Sequence, residues 1–107
     1  MSKVYFTITG LNHYYGSEIF EKDMEVKLIK EPDNMFDKEA IKVEVTGLGK
    51  VGYVANSTHT VMGESLSAGR MYDKIGKKAR AKVQVVTPRG IICTVKKKDL
   101  KLSKSSK

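Results

Sequence analysis

The chain is short of most residues that build reactive chemistry. It has one cysteine, Cys93, so neither an intramolecular disulfide nor a cysteine zinc site can form within it. Cys93 lies in the apolar run Ile91–Val95 and is expected to be a small core residue. The two histidines, His13 and His59, stand in unrelated contexts, and neither has a nucleophile at a recognisable spacing. Tryptophan is absent and aromatic residues make up 7%. No apolar run approaches the ~20 residues of a membrane span, so no membrane partner is expected. The glycine-rich phosphate loop of nucleotide hydrolases is missing as well, so any ATPase activity belongs to another chain. A strand-like pattern begins at Val4, leaving no room for a signal peptide, and a cytoplasmic location is expected.

Acidic residues are present but badly placed for catalysis. Asp33, Asp37 and Glu39 lie close enough together to suggest a metal-dependent nuclease. A Pro-Asp…Glu-x-Lys nuclease needs its Glu-x-Lys after the Pro-Asp, and here Glu25-Val26-Lys27 comes before it. Acidic residues beside proline and asparagine form turns. The expectation is therefore a non-enzyme with no metal and no cofactor.

What is there in quantity is positive charge. The formal net charge is +8, but Lys96 to Lys107 holds six lysines against Asp99, a net +5, which leaves +3 for residues 1–95. The division expected is a domain over 1–95 and a basic, flexible tail over 96–107. Such a tail either attracts polyphosphates in a salt-sensitive way or simply keeps the chain soluble.

At 107 residues there is room for one domain and one modest core. Its organising stretch is Glu31-Pro32-Asp33-Asn34-Met35-Phe36-Asp37-Lys38-Glu39, which is turn chemistry, followed by the alternating strand Ala40–Val45. Thr46–Lys50 is a glycine-bearing hairpin loop and Val51–Val54 the returning strand. Alternation also predicts strands over Val4–Thr9, Met24–Lys30, Lys78–Val86 and Ile91–Val95, with Val85 among the inward residues. Between Val54 and Lys78 the period changes. Asn56 or Ser57 would cap a helix running from Thr58 with Val61, Met62 and Leu66 on one stripe. Gly69 would close it, and Arg70–Ile75 would add a short turn. Six strands and one or two short helices give a mainly β fold. A small OB- or SH3-like barrel with a helix across one opening is expected, and the pattern leaves an open α+β sheet as the alternative.

The run E-P-D-N-x-F-D-x-x-A-I-x-V, followed by V-G-Y-V, resembles the HIRAN domain. This module is found at the N-terminus of helicase-like transcription factor and related DNA-remodelling ATPases, and as small stand-alone proteins. The resemblance covers roughly residues 6–86 and implies the barrel. It also implies capture of the 3′ end of single-stranded DNA, with Tyr14 and Phe36 stacking on bases and Asp37 holding the 3′-hydroxyl. His13 falls on a DNA-contacting arginine position. Tyr53 and Asn56 depart from the family pattern, standing where histidine and a phosphate-contacting lysine would be.

The residues themselves support two uses. Tyr14 and Tyr15, adjacent in a polar turn, either divide between core and surface or offer a stacking platform; the resemblance favours the platform. Asp37 either caps its turn or accepts a hydrogen bond from a strand's terminal hydroxyl, where no phosphate opposes it. Lys38, Arg89 or the tail would supply cations. The expected function is a non-catalytic module for single-stranded DNA, preferring a free 3′ end. Its candidate contacts are His13, Tyr14, Tyr15, Phe36, Asp37, Lys38, Tyr53 and Asn56. The alternative is a protein-interaction module on the same barrel, with Lys78, Arg80 and Lys82 facing an acidic partner. Oligomeric state is left open.

Overall fold

The computed structural model of the chain describes residues 3–56, 62 and 65–101. Six antiparallel strands, β1 (Tyr5–Thr9), β2 (Glu25–Lys30), β3 (Ile41–Val45), β4 (Gly49–Val54), β5 (Lys78–Thr87) and β6 (Gly90–Val95), close into a barrel. Around its circumference the order is β1-β4-β3-β2-β5-β6, with β6 returning to β1. Closure removes the free sheet edges that six short strands would otherwise expose.

Alternation along β1, β2, β3, β5 and β6 fills the interior, and β4, whose ladder with β3 shifts register between Val43 and Glu44, adds Val51 and Val54 three residues apart. Phe6 and Ile8, Val26 and Leu28, Ile41 and Val43, Val51 and Val54, Ala79, Ala81 and Val83, Ile91, Cys93 and Val95 are all buried in one cluster. Small residues on β5 face large ones elsewhere, so the narrow barrel is filled by side chains. Burial pushes the Cys93 thiol well above its ordinary range, which keeps it protonated and unreactive.

Two side chains face the other way from the alternation. Val85, expected inside, is 48% exposed. Pairing runs Val83 to Cys93 and then Val85 to Ile92, so Gln84 is an extra residue in the ladder and flips the side chains that follow. Thr7, which alternates with the inward Phe6 and Ile8 and so would face out, is fully buried, and its hydroxyl accepts from the Met62 amide at 3.1 Å.

Beyond β4 the backbone returns beside β1. Ala55 N–H donates to the Thr7 carbonyl, and Leu66 N–H donates to that of Tyr5, so this segment completes the half of β1 that β4 does not cover. The expected helix from Thr58 falls largely outside the described residues. The described helix is α1 (Ala68–Met71), whose Ser67 hydroxyl accepts from Arg70 N–H, followed by a 3-10 turn at Tyr72–Lys74. Gly69 lies inside α1 rather than at a left-handed C-cap. A Cβ there would stand 2.7 Å from Glu39 Oε1, the movable end of an exposed side chain.

Lys96–Lys101, assigned by sequence to the tail, lie against the barrel. Lys96 N–H donates to the Arg80 carbonyl and Lys101 N–H to that of Lys74. Leu100 forms a bridge with Ile75.

Candidate nucleic-acid interface

The turn after β2 is built by asparagine and glutamate. Asn34 Oδ1 accepts from the amides of Phe36 (2.8 Å) and Asp37 (3.0 Å), an Asx arrangement that bends the chain back on itself. Glu31 N–H donates to the Ala40 carbonyl and Ala40 N–H to that of Asp37, closing the turn onto β3. Met35 and Phe36 are left at its tip, 92% and 95% exposed. The phenyl ring of Phe36 therefore packs on nothing in the barrel.

Asp37 is partly buried and doubly engaged. Its Oδ1 accepts from Glu39 N–H (2.9 Å), and its Oδ2 accepts from Asn56 Nδ2 (2.9 Å). Asn56 does act as a helix cap, but across space. Its Oδ1 accepts from Gly69 N–H at 2.8 Å, satisfying an amide of the first turn of α1. A carboxylate has about four lone-pair sites, so two acceptances leave Asp37 able to take a further donor.

A second group lies on the outer face of β3 and β4. Tyr53 Oη donates to Glu31 Oε1 (2.8 Å), Asn34 Nδ2 donates to the same oxygen (3.0 Å), and Lys50 Nζ donates to Tyr53 Oη (2.8 Å). Lys50 also faces Glu31 Oε2 at 3.7 Å. Its ammonium stands 4.8 Å from the Tyr53 ring centre and 5.9 Å from that of Tyr14, within cation–π range of both. Burial pushes the Glu31 carboxyl upward, but hydrogen bonds from Tyr53 and Asn34, with Lys50 and Lys42 nearby, outweigh it and hold the group below its ordinary range. Burial raises the Tyr53 phenol, while its hydrogen bond raises Lys50, so the site is Tyr–OH, Lys⁺ and Glu⁻ at neutral pH.

The structure thus joins Asp37 to Asn56, and Tyr53 and Tyr14 to one lysine. Tyr14 and Tyr15 are 39% and 49% exposed, and Tyr15 Oη donates to the Leu48 carbonyl at 3.1 Å, which pins its turn to the β3–β4 hairpin. His13 ends a 3-10 turn at Leu11–His13 and is exposed, as is Lys38 beside Asp37. Tyr53 is turned to Glu31 rather than offered freely for stacking. Sequence reasoning missed the roles of Lys50, Glu31 and Asn34. Glu31 and Asn34 were visible as parts of the turn motif; Lys50 had no local signal, because its partners are brought to it by the fold.

Among the described residues no group of three or more histidine, cysteine, aspartate or glutamate side chains is placed to hold a metal ion, and no helix is long and apolar enough to cross a membrane.

A closed β-barrel that presents aromatic and acidic side chains on hydrogen-bonded turns defines a small binding module. The model of the HIRAN domain matches residues 1–89, and the chain belongs to that family. Two solved structures share the fold. The crystal structure of the HIRAN domain of human HLTF aligns with a TM-score of 0.58 at 19% identity, covering 88% of this chain and 74% of that one. A protein from Lactobacillus plantarum aligns with a TM-score of 0.59 at 18% identity, covering 88% and 93% respectively. No curated protein sequence matches significantly.

Proposed function

We propose that this chain binds single-stranded DNA without catalysis and prefers a free 3′ end. HIRAN domains are known as DNA-binding modules. The observation that carries the finer reading is the pairing of Phe36 and Asp37 on one rigid turn. The first is an almost wholly exposed ring, and the second a carboxylate tied to Glu39 and Asn56 with acceptor capacity left over. An aromatic face takes any base. A carboxylate repels phosphate and accepts from a hydroxyl, so it suits the one place on a strand where the sugar is not esterified. Tyr14, with Lys50 against its ring, supplies a second stacking face, and Lys38 a cation beside Asp37.

Fluorescence anisotropy with two oligonucleotides of one sequence, ending in 3′-hydroxyl and 3′-phosphate, tests this. The hydroxyl end binds more tightly, and Asp37→Ala removes the difference. Equal affinity for both ends would defeat the proposal.

One feature favours a second reading, a protein-docking module. Met35 and Phe36 form an adjacent apolar pair at the tip of the turn. On that reading neither oligonucleotide binds measurably.

A further inference from the structure

On the β5–β6 face of the barrel a cleft of about 420 Å³ is lined by Lys3, Arg80, Lys82, Lys96, Lys97 and Lys98, and no carboxylate among the described residues lines it. Two of these cations are paired: Arg80 with Asp99 (Nε to Oδ2, 2.9 Å) and Lys96 with Glu25 (2.6 Å). Lys3, Lys82, Lys97 and Lys98 make no ion pair among the described residues and are exposed. Six cations against those two acids leave the cleft and its partners at +4.

These charges are fixed in place rather than hung on a loose tail. Lys97–Asp99 is a 3-10 turn, and Asp99 accepts from Arg80 through its amide (2.7 Å), Nε and Nη2 (3.3 Å). Lys82 stands on β5, a ten-residue strand. Cations held on a rigid surface lose little freedom when an anion arrives.

We propose that this cleft is a second nucleic-acid contact, holding the phosphate backbone. It rests on the DNA-binding reading but not on end capture. In the strand order β1-β4-β3-β2-β5-β6 the β5–β6 pair lies diametrically opposite β4–β3, where Tyr53 and Lys50 stand. The chain would hold a strand end at the Phe36–Asp37 turn and a further stretch of backbone, such as duplex, in the cleft on β5 and β6. Favouring phosphate over an acidic protein is the clustered excess of cations, with no carboxylate among the described residues of the lining and only Val95 and Leu100 as apolar residues in it.

The test uses a blunt DNA duplex carrying 3′-phosphates, which offers no terminal 3′-hydroxyl. The variants are Lys82→Gln/Lys97→Gln/Lys98→Gln, all at exposed positions, and a chain ending at Lys101, which removes Lys104 and Lys107. The triple variant binds duplex at least tenfold more weakly, and its slope of log affinity against log salt is shallower by about 3, near one unit per lost phosphate contact. Its ratio of 3′-hydroxyl to 3′-phosphate oligonucleotide affinity stays at the wild-type value, whatever that value is. An unchanged duplex slope overturns the proposal, as does loss confined to the chain ending at Lys101. Polyglutamate of similar charge binding as tightly as the duplex overturns it in favour of an acidic protein.

Discussion

Phe36 and Asp37 are neighbours in one turn with opposite relations to the fold. Phe36 is 95% exposed, so removing its ring takes nothing from the core. Asp37 ties Glu39 and, through Asn56, the start of α1. Phe36→Ala is therefore expected to leave the unfolding free energy within about 0.5 kcal/mol of wild type, as surface substitutions do. It should nonetheless weaken single-stranded DNA binding by about 1–3 kcal/mol, the worth of one base stacked on one ring. Parallel unfolding and anisotropy measurements check this. If affinity is unchanged by the substitution, Phe36 contacts no base.

The strand β4 shows why the V-G-Y-V return has the residues it has. A Cβ on Gly52 would stand 2.7 Å from Ile8 Cγ2 and 2.7 Å from the Thr9 carbonyl oxygen. The second neighbour is backbone of β1, which pairs with β4 only through Ile8–Val54 and Thr9–Tyr53. Relief cannot come from a side-chain rotation, so Gly52→Ala pushes the two strands apart at the shortest seam of the barrel. It should cost about 1–3 kcal/mol, read as a lower urea midpoint. Gly76→Ala, with nothing within 4 Å of the added Cβ, is the control and should be neutral or slightly stabilising. Elements like this were legible because alternation is local: all six strands and the turn at Glu31–Glu39 could be found from the residues alone. What lay hidden was non-local. Asn56, whose expected helix from Thr58 lies largely outside the described residues, satisfies an amide of α1 13 residues away. Lys50 sat unremarked in a hairpin loop, although the fold brings Glu31 and Tyr14 to it. The flip of Val85 depends on a ladder irregularity that β5 shares with β6, which no single-strand pattern shows.

Across the whole molecule, an excess of positive charge is offset at three carboxylates whose acidity the fold increases. The Lys96 hydrogen bond holds Glu25 below its ordinary range, the Arg80 hydrogen bond does so for Asp99, and at Glu31 bonds from Tyr53 and Asn34 outweigh the opposing effect of burial. A group with a depressed folded-state pKa adds stability that is present above its unfolded value, roughly 4, and is lost as pH falls through the lower folded value. Stability to urea should thus be nearly level from about pH 7 to pH 5 and fall from about pH 4 downward, where the chain also gains net positive charge. Asp99→Asn and Glu31→Gln should each flatten the acid limb while lowering stability at neutral pH. Glu31 anchors the turn that presents Phe36 and Asp37, and Asp99 anchors the turn that presents Lys97 and Lys98. Acid should therefore loosen both surfaces before the barrel opens, seen as faster amide exchange around Glu31–Ala40 and Lys96–Lys101 at a pH where β5 and β6 remain protected. Exchange that rises everywhere at one pH would show that the turns and the barrel unfold as a single unit.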